Sequence, residues 1–522
     1  MLYAESYKPK LFKSLRLKLH GWEELMKEKQ RILRDGLLYS ISTYISTIVN
    51  FFTSIVTKNL LGPTLAGTFN FFMLIRSYTE FGELGIRYSI NREIPLNKGM
   101  SDFKKVQDIK NTSYTATLLF SGIINSIVLL VAIIFRNQLS RMMYMGLMLV
   151  AVISFVSNII NYYFALVRAD RNFVFLCKYN ILYALLAVVF KISLVYWLGI
   201  YGLLIGIIIL HVVMIFYFVK RTKHNLKLEI NPKILKSLLK LGLPLLMLGF
   251  ISLSILGIDK YIITIFLDFT ELGHYSIATM VHSFVIVFPG LLSSTLFPSF
   301  LQKIGRDGTH LKARSHVIKP NIIIAYIYAI IIIFVALLMP IFVKYVMPKF
   351  TQGILAAQIL VIGTFFMGIK NISGQVLVGL NKIGRLIIFG AIVLVLAFLL
   401  DMVFIKLGMG IIGIALASAI SFFVYSFILM FDALRLMEFD FFSRMKHILS
   451  LYVPLILILA VMLMCNRILS LFGFEGIGLF LFQVFILAIA SVPILYVLNK
   501  KTSVVRMTYD LLIKYKHKNR WF

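Results

Sequence analysis

What most constrains this chain is a succession of apolar stretches, each long enough to cross a bilayer. A hydrocarbon core of about 30 Å takes an α-helix of roughly 20 mostly apolar residues. The sequence offers fourteen such stretches: 36–57, 67–90, 113–135, 141–167, 174–197, 200–219, 238–264, 272–300, 321–346, 352–379, 385–406, 410–433, 447–469 and 476–498. Composition agrees, because 60% of the 522 residues are apolar and 14% are charged. Soluble domains run at roughly 45–50% and about 25%. So little polar surface cannot cover soluble domains, and so much apolar surface excludes disorder. Two cysteines exclude a disulfide scaffold and a cysteine-based zinc site. The expected fold is an all-α polytopic membrane protein with about 14 transmembrane helices.

The net charge of +31 comes from 53 basic and 22 acidic residues. With the N-terminus inside, the stretches leave 41 of the 53 Lys and Arg on the inner side and 8 on the outer. Lys58 and Lys260 are among the eight, and Arg76, Arg87, Lys191 and Lys370 stay at membrane depth. The positive-inside rule then puts both termini in the cytoplasm and the chain in the cell (inner) membrane. The basic excess reads as topology and attraction to anionic membrane lipids, not as nucleic-acid binding. Residues 1–35 form a basic cytoplasmic N-terminus without the continuous apolar run of a signal peptide. Within it, 12–33 is expected to be an amphipathic helix on the membrane surface.

The chain resembles itself. Ala165-Leu-Val-Arg-Ala-Asp170 corresponds to Val376-Leu-Val-Gly-Leu-Asn381, and Leu198-Gly199 to Leu407-Gly408. Leu61-Gly-Pro-Thr-Leu-Ala-Gly67 corresponds to Leu267-Asp-Phe-Thr-Glu-Leu-Gly273, an offset of 206. Stretches 1–6 therefore repeat as 7–12 in the same orientation, which predicts two six-helix lobes and a path between them. The organisation is an N-lobe at 36–219, a cytoplasmic linker at 220–237 and a C-lobe at 238–433. Two further helices at 434–498 and a basic cytoplasmic tail at 499–522 follow.

Charged residues inside apolar stretches cost roughly 2.5–3.5 kcal/mol each if they face lipid. Arg76, Glu80, Glu83 and Arg87 recur at spacings of 4, 3 and 4, one face of a straight helix. They read either as two i,i+4 ion pairs that lock the bundle or as the wall of a hydrophilic cavity. Thr43, Thr47, Asn50 and Ser54 share a face of the first stretch and read as a second wall. Lys191 and Asp401 are repeat equivalents of opposite sign, which suggests a pair across the lobes, a phosphate contact at Lys191, or snorkelling. Lys370 reads similarly, and His211 and His282 read as hydrogen-bonded core histidines.

Gly408-Met-Gly410-Ile-Ile-Gly413 imitates a dinucleotide fingerprint, but no strand precedes it. No Walker A, H-E-x-x-H or G-x-S-x-G motif and no large loop is present, so the chain reads as no enzyme, with no metal and no cofactor.

Several segments resemble the polysaccharide-transport branch of the multidrug/oligosaccharidyl-lipid/polysaccharide (MOP) exporter superfamily. They are Leu61-Gly62-Pro63…Gly67-Thr-Phe69, Glu83-Leu-Gly85-Ile…Arg92-Glu93, Gly242-Leu-Pro244…Asp259-Lys260…Leu272-Gly-His-Tyr275-Ser-Ile-Ala278…Leu296-Phe-Pro298 and Gly408…Gly413-Ile-Ala415. The resemblance covers roughly residues 30–500 and rests on the order of these segments. It implies alternating access and a polyprenyl-diphosphate oligosaccharide carried from the inner to the outer leaflet, as in flippases of the Wzx type. It implies cationic cavity residues that meet the diphosphate, with Arg76, Arg87 and Lys191 as the matching positions. The wider set of substrate-binding candidates adds Asn50, Glu80, Glu83, Lys370 and Asp401. Glu80, Glu83, Asp259 and Asp401 are candidates for a coupling proton or sodium ion. The alternatives are a cation-coupled multidrug or small-molecule antiporter of the same superfamily, and a flippase of the lipid-linked peptidoglycan precursor.

Overall fold

The computed structural model describes residues 8–222, 224–293, 314–472 and 476–503. Every regular element among them is helical. In chain order these are α1 (Lys8–Thr79), a 3-10 turn (Glu80–Glu83), α2 (Ile86–Gly99), α3 (Phe103–Ile134), α4 (Arg141–Ala169) and α5 (Phe173–Thr222). The second half holds α6 (Pro232–Phe266), α7 (Phe269–Val285), α8 (Ser315–Val346), a 3-10 turn (Pro348–Gly353), α9 (Ile354–Gly379), α10 (Ile383–Lys406) and α11 (Gly410–Leu436). Then come α12 (Phe441–Leu471) and α13 (Gly476–Thr502). The last residues of the eighth stretch, 294–300, and most of the basic tail, 504–522, lie outside the described residues.

Eleven described helices are long and apolar enough to cross a membrane. That number is not a count of crossings. Helix α5 has 50 residues and turns at Gly199, with φ 57° and ψ −135°. At 1.5 Å per residue it measures about 75 Å along its path, more than two bilayer cores. Helix α1 is outside the eleven, because Ser, Thr and Asn dilute its apolar run. It turns at Gly62, with φ 74° and ψ 174°. Glycine enters this region without a Cβ clash, and Pro63 disfavours helical geometry at the residue before it. The backbone of α1 is helical from Lys8 to that turn, so 12–33 runs into the first apolar stretch without a break. The stretch 67–90, in contrast, is not one helix. It ends at Thr79, passes through the 3-10 turn, and reverses at Leu84 (φ 53°) and Gly85 (φ 78°).

Large apolar side chains cover the outside. Phe216, Leu463 and Phe485 are each more than 60% exposed. Lipid, not water, suits such a surface. The largest buried cluster lies mostly in the second half, where it joins α6 through Ile255, Ile262 and Ile263 to α7, α8, α9 and α11, and it takes in Ile55 and Ala66 of α1. The first half is built from smaller clusters. One of them packs Ile86, Ile90 and Ile94 of α2 on Tyr162, Leu166 and, from α6, Leu238.

The halves meet at both ends. At the end expected to face outward, Thr64 and Thr270, 206 residues apart, share a hydrogen bond of 2.9 Å between their Oγ1 atoms. A Cβ on Gly67 would strike the carbonyl of Phe269, and one on Gly273 would strike that of Pro63. The contact is therefore reciprocal between positions of equal offset. At the opposite end Ser89 Oγ donates to the Leu238 carbonyl at 2.5 Å, and Gly85 and Gly242 approach too closely for a Cβ on either.

The connector between the halves is strapped to the first. Gln107 Nε2 donates to the Asn225 carbonyl, Asn111 Nδ2 to Glu229 Oε2 and the Asn231 amide to Thr112 Oγ1. Beside it, Asp170 accepts from Lys98 Nζ at 2.6 Å and lies 3.6 Å from His224 Nε2.

Candidate functional site

Two adjoining cavities, of about 370 and 220 Å³, lie where α1 faces α6 and α7. Asn70, Lys260, Thr279 and Ser283 line both. Thr47, Asn50 and Ser54 form the wall that their helical spacing predicts. The fourth member of that face, Thr43, instead meets Asn180 Nδ2 of α5. Asn50 Nδ2 donates to the Ser46 carbonyl.

The cations of this cavity are Lys58 and Lys260. Topology alone assigns both to the outer side. The structure buries Lys58 to 8% exposure and bonds its Nζ to Ser276 Oγ. The two lysines lie within Coulombic reach of each other. They flank the inter-half contact with hydroxyl and amide side chains around them, an arrangement able to receive an anion. The available sequence signal was their position beside the segments that resemble each other, Leu61–Gly67 and Leu267–Gly273.

Asp259, the residue before Lys260, lines the smaller cavity beside it, with a second acid, Asp401, nearby. Asp259 Oδ2 accepts from Tyr275 Oη and from Ser418 Oγ. Asp401 lies within Coulombic reach of Asp259 and Tyr275. Both carboxylates are at most 3% exposed. Asp259 Oδ1 and both oxygens of Asp401 have no hydrogen-bond partner among the described residues. His282 lines the smaller cavity and its Nδ1 shares a hydrogen bond of 2.7 Å with Thr364 Oγ1, as a core histidine would.

The charges of the second stretch are elsewhere. Arg76 Nη2 pairs with Glu80 Oε1 at 2.5 Å and Arg76 Nε donates to Ser157 Oγ. Arg87 Nε pairs with Glu83 Oε1 at 3.0 Å across the left-handed turn. None of the four lines either cavity. The reversal at Leu84 and Gly85 breaks the single face that a straight helix would give them. Ser157 continues the network to His211 Nδ1, and Tyr183 Oη meets His211 Nε2, each at 3.3 Å.

Lys191 and Asp401 do not pair. Lys191 lies near Arg76 and His211 in the first half, while Asp401 faces Asp259 in the second. Lys370 Nζ stands 4.3 Å from the ring centroid of Tyr425, a cation–π contact that holds a charge at membrane depth without an acid. Among the described residues no group of three or more His, Cys, Asp or Glu forms a metal cluster.

Residues 99–349 match the family described as polysaccharide biosynthesis protein. No curated protein matches the chain in sequence. Among solved structures, the lipid II flippase MurJ in an inward closed conformation superposes with a TM-score of 0.63 at 17% identity, covering 89% of this chain and 99% of that one. An inward-facing multidrug resistance MATE family transporter of the MOP superfamily gives 0.61 at 14% identity, with 78% and 98% covered. A MOP superfamily transporter from Pyrococcus furiosus, described as having a binding pocket of reverse polarity, gives 0.58 at 15% identity, with 78% and 97% covered.

Proposed function

We propose that this chain, a MOP-superfamily multi-pass exporter by its fold and family match, is a flippase for a lipid-linked oligosaccharide. It moves a polyprenyl-diphosphate glycan from the cytoplasmic to the outer leaflet by alternating access. The observation that carries this reading is the placement of Lys58 and Lys260 in the cavity between the two halves. A diphosphate cannot enter about 30 Å of hydrocarbon without replacing its hydration. Two ammonium groups and a ring of hydroxyl and amide donors supply that replacement, while the polyprenyl tail stays in lipid. Asn50 belongs to this ring.

The same reading keeps fourteen crossings, both termini in the cytoplasm and two six-helix lobes. Helix α1 then crosses twice about Gly62 and α5 twice about Gly199. Asp259 and Asp401 hold the coupling cation, a proton or sodium ion, with the hydroxyls of Tyr275 and Ser418 beside them. Glu80 and Glu83, each already paired with an arginine, lock the first half together with Arg76 and Arg87.

A second reading is a cation-coupled small-molecule antiporter, which the buried Asp259–Asp401 pair favours. Proteoliposomes decide between the two. A labelled polyprenyl-diphosphate oligosaccharide is loaded in one leaflet and its transfer followed with an impermeant probe. Transfer above protein-free vesicles supports the flippase. Its absence across sodium and proton gradients, with sodium-driven efflux of a small cation instead, supports the antiporter.

A further inference from the structure

The two helices outside the repeat, α12 and α13, leave a pocket of about 710 Å³ where they meet α8 and α9. It is larger than either cavity between the halves. It lies at the end expected to face outward, because Val346 at the end of α8 accepts from Asn59 Nδ2, in the segment that carries the Thr64–Thr270 contact. Pro340 of α8 shapes one wall. A proline inside a helix offers no N–H to the carbonyl four residues back and pushes the helix off line. The carbonyl so freed, that of Ala336, accepts from Gln358 Nε2 of α9 at 3.0 Å.

The lining is graded with depth. By 1.5 Å per residue from the helix ends, Lys344 is about 3 Å in, Asn466 and Gln483 about 8–10 Å, and Leu459 and Ile333 about 18–20 Å. Lys344 is exposed and has no counterion among the described residues. Gln483 Nε2 of α13 donates to Asn466 Oδ1 of α12 at 3.2 Å. That bond uses the Asn466 oxygen and leaves its NH2 group to donate elsewhere.

We infer that this pocket holds a diacyl glycerophospholipid, with its phosphate at Lys344, an ester carbonyl at Asn466 and Gln483, and one acyl chain among the apolar residues below. The leaflet, the outer one, rests on the proposed topology; the site itself does not depend on what passes between the halves. The order of groups in the pocket is the order along such a lipid. An ammonium pairs with phosphate, and the ester carbonyls of a glycerolipid lie just beneath the phosphate, at the depth of the two carboxamides. A carboxamide donor inside the hydrocarbon is costly without an acceptor, and the ester supplies one. A polyprenyl phosphate has a charge for Lys344 but no carbonyl at that depth. The bound lipid fills the gap between the added pair of helices and the second half and holds them together.

The test uses the full-length protein in detergent, stripped of co-purified lipid, with binding read by native mass spectrometry and by the thermal midpoint. Dioleoyl phosphatidylglycerol should bind tightly at one site and raise the midpoint. Its diether analogue, which has the same phosphate and chains but no carbonyls, should bind on the order of tenfold more weakly, as for the loss of about one hydrogen bond. Lys344→Gln, a change at an exposed position, should weaken phosphatidylglycerol by a similar factor and leave the midpoint of the lipid-free protein unchanged. Asn466→Leu/Gln483→Leu should bind the ester and the ether lipid equally. Equal binding of the two lipids by the wild type, no tight site for phosphatidylglycerol, or binding that neither variant alters overturns the proposal. Undecaprenyl phosphate that displaces phosphatidylglycerol at equal concentration also overturns it and gives the pocket to a polyprenyl chain.

Discussion

The two halves of the molecule carry buried charge in opposite ways. In the first half, Arg76 meets Glu80 and Arg87 meets Glu83, so each of these four ions has its counterion four residues away. Ser157, His211 and Tyr183 extend the Arg76–Glu80 pair across α4 and α5. In the second half, Asp259 and Asp401 lie near each other with oxygens unpartnered, and Lys260 opens, with Lys58 of the first half, onto a cavity. A balanced set of charges holds a bundle together. An unbalanced set stores a demand that a ligand fulfils. On the proposed function, that difference separates a lock from a binding site even though both put ions at membrane depth.

The contrast can be broken most severely at the contact that the halves share. Thr64→Cys/Thr270→Cys places two thiols where the hydroxyls now meet. Oxidation should stop transport in proteoliposomes completely, and reductant should restore it. Transport that continues through the crosslink would remove this contact from the moving parts. Arg76→Ala tests the lock. It leaves Glu80 without its ion pair and should cost about 2 kcal/mol of stability, as for other hydrogen bonds to charged groups, read as a lower thermal midpoint in detergent. Asp401→Asn tests the other side. It removes one of two facing carboxylates and should raise stability in sodium-free buffer by about 1 kcal/mol, while abolishing any stabilisation by sodium. A loss comparable to that of Arg76→Ala would erase the distinction.

The smallest effect belongs to the connector. Burial pushes the His224 imidazole below its usual 6.5, Lys110 and Lys98 add to this, and Asp170 opposes it. The folded state therefore prefers His224 neutral. Its contribution is complete above about pH 6.5 and declines as acid forces a proton onto the ring. Hydrogen exchange at residues 224–231 should speed up below that pH in the wild type and not in His224→Gln.

Much of this was legible in the sequence. The apolar stretches fix an all-helical membrane protein, and the wall of Thr47, Asn50 and Ser54 follows from helical spacing alone. The pairs Arg76–Glu80 and Glu83–Arg87 follow from i,i+4 spacing. Their place away from the cavity does not, because it depends on a left-handed turn at Leu84 and Gly85 that a periodic reading assumes to be helix. Lys58 and Lys260 were hidden for a different reason. Each lies at the end of an apolar stretch, where a lysine ordinarily reaches the interface. Only the approach of α1 to α7 turns that edge inward, onto Ser276. The separation of Lys191 from Asp401 is likewise tertiary, since equal offsets in a repeat put residues in equivalent places, not in contact.

The account stands most directly on one comparison of transfer rates. Polyprenyl-diphosphate oligosaccharide flipping would be measured side by side for the wild type, Lys58→Ala/Lys260→Ala and Arg76→Ala/Glu80→Ala, each reconstituted to equal amounts of folded protein. Losing two desolvated charged contacts should cut the first variant's rate by about two orders of magnitude, while the second, which removes a balanced pair, keeps a rate near that of the wild type. Normal flipping by the lysine variant, with flipping lost in the Arg76/Glu80 variant, would contradict the account and move the substrate to the first half's network.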